Sequence, residues 1–375
     1  MKTQDFTIAF SQLEQEEAVK EISLKIKLLF PKQIKCLIIL YTPQYHPANI
    51  LKTVRLTLKP NQIVGIQSPL LIFEGSIISK GIVACCLNKE SLDMKSSFLA
   101  SKQIKDTSTV LNTFFKELRG KKYHFFSFVS ANIELLSYLK EMKSSIGKIF
   151  NFSGAGYTKR YSSYNTYILD NNINDYSVNF AIKGTQIDFV RLEGFTTLGK
   201  SFKITKISPE RNILMEIDNQ PAVNIYRYYL EEKFDTFIKN RLFTFYPLGI
   251  KSDGTLRLIK VLESLEDGSL LCLGELKEKT DGNIMFLNTD SLLKKTQDML
   301  LPFTNEEGGL VFIVNSLSRK KILIESAEEE IKTIKKILGD KFKILGIFSD
   351  YYLFSDYEKG DINAETGNIL LTIWQ

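Results

Sequence analysis

The chain has 375 residues, 44% hydrophobic and 25% charged, a length and balance that fit a soluble globular protein of about two domains and exclude a disordered or fibrous one. Its net charge of +6 is spread along the sequence with acids among the lysines, which excludes the concentrated basic face of a nucleic-acid binder. Cys36, Cys85, Cys86 and Cys272 lack the paired spacing of a zinc site and read as buried, reduced thiols, and no apolar run reaches the roughly 20 residues of a membrane span. Acids near the N-terminus, where a signal peptide needs an apolar core, complete the expectation of a cytoplasmic protein.

In chain order, 6–10 reads as a strand, and 12–29 as a helix with acids in its first turns, stopped by Pro31. The apolar run 36–41 has the character of a central strand. A helix follows over 50–58, then strands over 63–67 and 81–87 with Glu74-Gly75-Ser76 turning between them. Helices over 110–118 and 133–142 flank a strand over 125–130, and residues 148–202 break into short strands with polar turns.

A tight turn at Asp218-Asn219 precedes a helix over 223–239. A hairpin spans 256–262 and 269–273 across Asp267-Gly268. Helices over 291–299 and 327–338 flank a strand at 309–314, and strands at 344–348 and 369–374 are joined by the polar loop 355–367. This mixture predicts an α/β (α+β) protein of two domains, residues 1–203 and 204–375, each a mixed, mostly antiparallel sheet flanked by helices. No internal repeat stands out.

Two features suggest a site. Gly154-Ala155-Gly156, followed by Tyr157, Thr158, Lys159 and Arg160, is either a tight turn that lets two backbones approach or an anion cradle. Arg319, just past the apolar run 310–315, is either the grip for a ligand carboxylate or phosphate or one half of an ion pair with an acid such as Glu325. A catalytic constellation is not visible: the chain has two histidines, His46 and His124, no serine-elbow pattern, and Cys272 lies inside an apolar strand.

The order of several weak motifs resembles one family. Ile63-Val64-Gly65-Ile66, Glu74-Gly75, Phe152-Ser153-Gly154-Ala155-Gly156 and Gly194-Phe195 through Gly199 come first. Asn212, Glu216-Ile217-Asp218, Pro221-Ala222, Tyr226, Pro247-Leu248-Gly249, Asp267-Gly268-Ser269-Leu270, Asp281-Gly282-Asn283-Ile284 and Arg319 follow in order. This pattern is similar to the FIST module (F-box and intracellular signal transduction), over residues 35–372 or so. The resemblance implies a non-catalytic sensor that captures a small ligand, an amino acid or related metabolite, in a pocket bounded by both halves. It also implies output in trans to a signalling partner such as a histidine kinase.

Arg319, Ser316, Gly154, Gly156 and Tyr157 are the expected ligand contacts, with no cofactor, no metal, no nucleic acid and no membrane insertion. One branch of the family senses nitric oxide through haem, and eukaryotic relatives act as protein-interaction scaffolds, so those two readings stand beside the first. The chain departs from the family at Ser316, where a cysteine is usual, and at Asp350 and Asn368.

Overall fold

The structure is a computed structural model that describes residues 5–98, 104–118, 123–146, 151–158, 166–209, 212–252, 255–274, 276–356 and 361–375. It is a mixed α/β fold. Among those residues the strands form four sheets, and three of the sheets repeat one plan.

The first unit runs β1 (Phe6–Ser11), α1 (Gln15–Leu29), β2 (Cys36–Tyr41), α2 (Pro47–Thr57), β3 (Gln62–Gln67), a small hairpin of β4 (Leu71–Phe73) and β5 (Ser76–Ile78), and β6 (Ile82–Leu87). The second repeats it as β7 (Asp93–Ser97), α3 (Ile104–Leu118), β8 (His124–Val129), α4 (Leu135–Ile146), β9 (Asn151–Gly156), the hairpin β10 (Tyr167–Leu169) and β11 (Asn172–Asn174), and β12 (Ser177–Lys183).

The third unit opens with β13 (Ile187–Leu192) and is then interrupted by an insertion. The insertion comprises β14 (Phe195–Ser208), β15 (Ile213–Ile217), β16 (Gln220–Pro221), α5 (Asn224–Leu230), α6 (Phe234–Lys239), β17 (Leu248–Ser252), β18 (Thr255–Ser264), β19 (Leu270–Leu273) and β20 (Asp281–Leu287). The unit then resumes with α7 (Thr289–Leu300), β21 (Gly309–Ser316), α8 (Leu317–Leu323), α9 (Ser326–Leu338), β22 (Phe342–Ser349), the hairpin β23 (Tyr351–Asp356) and β24 (Asp361–Glu365), and β25 (Ile369–Trp374).

Each unit holds one parallel pair, β2/β3, β8/β9 or β21/β22, joined by a helical crossover as parallel strands require. The hairpins do not stay at home. The β4–β5 hairpin of the first unit pairs with β22 of the third, the β23–β24 hairpin of the third pairs with β9 of the second, and the β10–β11 hairpin of the second pairs with β3 of the first. The exchange closes a ring.

A glycine marks the same place in each acceptor strand: Gly65 faces Ile168, Gly154 faces Leu353, and Gly346 faces Ile72. The run Ile-Leu-Gly-Ile-Phe-Ser of 344–349 thus repeats Ile-Val-Gly-Ile-Gln-Ser of 63–68, a repeat that the sequence pattern alone did not disclose. A Cβ on Gly154 would lie 1.9 Å from the Ser127 carbonyl oxygen, and one on Gly346 would lie 2.2 Å from that of Ile313, so both positions need the missing side chain.

Strand residues alternate between two environments. Ile38, Leu40 and Cys85 of the first unit, Phe126 and Phe128 of the second, and Phe312 and Trp374 of the third share one central core. Leu37, Ile39 and Cys86 point outward to Ala18, Val19, Ile22 and Ile26 of α1, so the adjacent cysteines face opposite sides as expected. Trp374 bridges the units, 5.1 Å from the Phe126 ring and 6.4 Å from that of Phe6. All four cysteines are buried and free.

The insertion is a separate layer. β14 pairs with β20 along its first part and with β15 along its last, which closes β14-β20-β17-β18-β19-β15 into an antiparallel barrel. Phe202, Ile204, Leu248, Ile259 and Leu270 pack with Tyr226 and Phe237 from its helices.

Several expectations change here. The division between residues 203 and 204 falls inside β14, a single strand, and two of the sheets draw strands from both sides of it. One sheet per half therefore becomes four sheets, because exchanged hairpins carry strands across the chain. The single helix expected over 223–239 breaks at Glu231, whose φ of 43° starts a short 3₁₀ turn between α5 and α6. The polar loop at 355–367 contains part of the β23–β24 hairpin.

Gly154→Ala should destabilise the fold by about 1–3 kcal/mol, since β8 and β9 cannot separate without breaking the hairpin exchange. Urea unfolding followed by circular dichroism checks this; an unchanged midpoint would contradict the close-approach role.

Candidate functional site

The three units meet at one carbonyl. The oxygen of Phe348 accepts from Ser68 Oγ of the first unit at 2.9 Å and from Tyr157 Oη of the second at 2.8 Å. The backbone N–H of Phe348 in turn donates to Leu70 O at 3.1 Å. Ser68, Tyr157 and Ser349 each follow directly on the last residue paired between the parallel strands, or end that pairing, so the C-terminal ends of β3, β9 and β22 converge here. In open α/β sheets such strand ends are where ligands bind.

Beside this junction lies a cleft of about 760 Å³, walled on one side by the turn into α4 and the end of β9, and on the other by β18 and β19 of the barrel. Ile133, Leu135, Leu136, Val261, Leu262 and Leu271 make much of its wall apolar. Its charged groups come already matched. Lys260 of β18, buried, donates to Asp350 Oδ1 at 2.5 Å, and Thr158 donates to Asp350 Oδ2 through its backbone N–H at 3.2 Å and through its hydroxyl. Arg241 lies 3.7 Å from Glu263. Glu134 caps α4, its carboxylate accepting from the N–H groups of Leu136 and Ser137 at 3.1 and 2.7 Å.

Neutral hydrogen-bonding groups complete the lining. Asn212 Nδ2 donates to Cys272 O at 2.7 Å, and Thr244 and Tyr351 also face the space. Burial pushes the Cys272 thiol up to about 12, so it stands protonated at neutral pH. A group of this kind is a small packing element and not a thiolate nucleophile.

Of the five expected ligand contacts, Tyr157 alone lines this cleft among the described residues. Gly154 packs on Ser127, and Gly156 lies under the Tyr351 ring, so both serve backbone approach; Lys159 and Arg160 lie outside the described residues. Ser316 caps α8, its Oγ accepting from Ser318 N at 3.2 Å and Gly367 N at 3.1 Å.

Arg319 is fully buried and forked onto Glu330, with Nε to Oε2 at 2.9 Å and Nη2 to Oε1 at 2.6 Å. Its Nη1 donates to Gly367 O at 3.2 Å. Ser316 and Arg319 therefore clamp the peptide of Gly367 from both ends, which fixes where β25 begins. The ion-pair alternative describes Arg319, with Glu330 as the acid in place of Glu325, because one more helical turn carries the carboxylate inward.

Sequence reasoning passed over Lys260. Its signal was a lysine that, with Arg257, interrupts the otherwise apolar strand run 256–262, a charge that must find a partner when buried.

His124 is buried between the rings of Phe126 and Phe189, at 4.5 and 4.7 Å, with Nε2 3.1 Å from Ser153 Oγ. His46 sits at the exposed N-terminus of α2. Neither lines the cleft, so no histidine offers an axial haem ligand there.

Arg319→Ala should cost about 3–5 kcal/mol, because it strands the Glu330 carboxylate in the interior, and Arg319→Met with Glu330→Leu should recover much of that loss. Urea unfolding of the two variants beside the parent protein measures it; an unchanged midpoint for Arg319→Ala would return Arg319 to the candidate ligand contacts. Burial lowers the His124 pKa to about 3. Between about pH 6.5 and 3 the unfolded chain binds a proton that the folded state refuses, so stability falls by at most ~1.4 kcal/mol per pH unit as pH drops. His124→Asn should flatten that limb of the stability profile, and parallel slopes for both proteins would contradict it.

Among curated proteins none matches the chain. Family models do: the FIST N domain matches residues 36–220 and the FIST C domain residues 222–350. The join between them lies within the barrel, where β16 leads to α5. Together with a cleft set between the barrel and the exchanged units, these matches place the chain in the FIST family, whose domains are sensory domains associated with signal transduction.

Proposed function

We propose that the protein is a cytoplasmic sensor that captures a small ligand in the cleft beside the three-unit junction, without catalysis, and passes its output in trans to a signalling partner such as a histidine kinase. The cleft carries this reading: its walls belong to the barrel and to the exchanged units, each with a core of its own, which share two smaller apolar clusters and are joined across the cleft by Lys260 and Asp350. A ligand touching both walls favours one spacing of the two bodies over another, and a differential affinity of that kind is what a signal requires.

The family favours an amino acid or related metabolite, and the lining is compatible with that class. Its cations are paired with acids and the Glu134 carboxylate is held by the start of α4, so a guest of no net charge can sit among them without breaking a pair. The protonated Cys272 thiol supports binding over covalent chemistry. No helix among the described residues is long and apolar enough to cross a membrane. A second reading, the interaction scaffold, draws on Leu24, Leu28 and Leu29 of α1 and Leu56 of α2, which are exposed together on one side of the first unit.

Thermal-shift measurements against amino acids, nucleotides and haem test the sensor reading. A ligand of the amino-acid class should raise the midpoint, since binding to the native state alone must stabilise it. Leu271→Trp, which fills the cleft, should abolish that rise while moving the midpoint of the free protein little. A panel with no active compound, or a rise that survives Leu271→Trp, would sink the assignment of the cleft.

A further inference from the structure

Charge is spread along most of the chain, and one stretch breaks that pattern. Between Glu21 and Glu74 there is no acidic residue, while seven lysines and arginines fall there. The stretch holds most of α1 and all of α2, which lie side by side and run parallel. Gln15 Nε2 donates to Gln44 O at 2.9 Å where the helices begin, and Gln33 Nε2 donates to Lys59 O at 2.7 Å where they end. Between these points Ser23 Oγ lies 2.7 Å from Thr57 Oγ1. Ala18, Ile22 and Ile26 of α1, with Ile50 and Val54 of α2, pack onto the sheet beneath.

The outer faces carry two residue types. On α1, Lys27 and Leu28 stand three and four residues after Leu24 and share its side of the helix. On α2, Leu56 stands four residues after Lys52, and Lys59 follows at the helix's end. Leu24 and Leu56 are chain neighbours of the Ser23–Thr57 contact, so the two helices present one surface. Leu24, Leu28, Leu29 and Leu56 are 65%, 84%, 63% and 67% exposed, so the core does not use them. Lys27, Lys32, Lys52 and Lys59 are exposed and make no ion pair among the described residues, whereas Lys25 is held by Glu21 at 2.7 Å.

We propose that this face docks the protein on the anionic surface of a lipid bilayer, lying on it without spanning it. The leucines enter the boundary between headgroups and acyl chains, and the lysine stems lie beside them, carrying their ammonium groups out to lipid phosphates. Charge complementarity selects this occupant, since free cations match a surface of fixed negative charge such as that of a cytoplasmic leaflet. The leucines decide against other anionic partners. A nucleic acid would match the lysines and leave the leucines in water, because its bases stack on aromatic side chains. A protein partner anchors on Trp, Tyr and Arg, whereas lysine is depleted and leucine under-represented at such contacts. A bilayer needs no shaped pocket to receive Leu28, the most exposed of the four.

This goes beyond the sensor reading and does not depend on it. No residue that lines the cleft comes from α1 or α2, so the docking face and the cleft are separate surfaces and each can be disabled alone. Docking through four leucines and a few lysines is reversible, so the protein divides between membrane and solution.

Co-sedimentation of the full chain with large unilamellar vesicles tests the proposal. Vesicles of equal parts phosphatidylcholine and phosphatidylglycerol should carry the protein down, and vesicles of phosphatidylcholine alone should bind it about tenfold more weakly. Raising the salt from about 0.1 M to about 0.5 M should weaken binding several-fold, since exposed cations are readily screened. Leu24→Gln with Leu28→Gln should lower the partition coefficient about tenfold with the charge unchanged. Lys27→Gln with Lys52→Gln should do the same with the leucines unchanged. All four positions are exposed, so both variants should keep the parent's circular dichroism spectrum and thermal midpoint. Failure to sediment with the mixed vesicles, equal binding to both kinds, or full binding by either double variant would each overturn the assignment. A protein that ignores both vesicles and self-associates would give the face to a second copy of the chain, which overturns it as well.

Discussion

A single carbonyl, that of Phe348, receives hydrogen bonds from two other units of the same chain, and the fold is organised around that meeting. It can occur only because each unit gives away a hairpin. With β4–β5, β10–β11 and β23–β24 exchanged in a ring, no unit can leave without stripping an edge from a neighbour's sheet. The central core enforces the same dependence, since Trp374, Phe126 and Phe6 come from different units and bury one another. Aromatic pairs of this kind contribute about 0.5–1.5 kcal/mol beyond their buried area, so the junction is held by packing as well as by hydrogen bonds.

The barrel stands in a different relation to this ring. It is inserted between β13 and α7, enters and leaves through the paired ends of β14 and β20, and has its own core. Where it leans back on the ring it does so through the ion pair of Lys260 with Asp350 and through apolar contacts such as Leu273 with Ile362 and Ala364. Asp350 lies at the root of an exchanged hairpin, one residue beyond β22. A displacement of the barrel is therefore felt first at the base of β23.

Much of the fold was legible in the sequence. Long apolar runs such as 36–41 and 309–314 became the central strands β2 and β21, because a strand buried on both faces has no polar side to show. The three-residue strands β4 and β5 were not legible, since they are too short to display a period, and the polar edge strand β7 has little apolar signal at all. The glycine shared by 63–68 and 344–349 was present in the letters, but its meaning depends on strands that pair across the whole chain. At the site, Tyr157 was found because it follows Gly154-Ala155-Gly156, a run that ends strand β9 and forms no turn. Arg319 drew attention for the right local reason, its place after a central strand, while its partner Glu330 comes from a helix whose inward face was not weighed for charge. Lys260 was passed over because only the third dimension brings it to Asp350.

Native-state hydrogen exchange along the chain tests most directly whether the exchanged units form one cooperative body with the barrel as a second. The amides of β3, β9 and β22 should share a single opening free energy, while those of β17 and β19 open with another, because cooperative units exchange together. If the amides of β3 open independently of those of β22, or if the barrel cannot be distinguished from the ring, the two-body account of the cleft is contradicted.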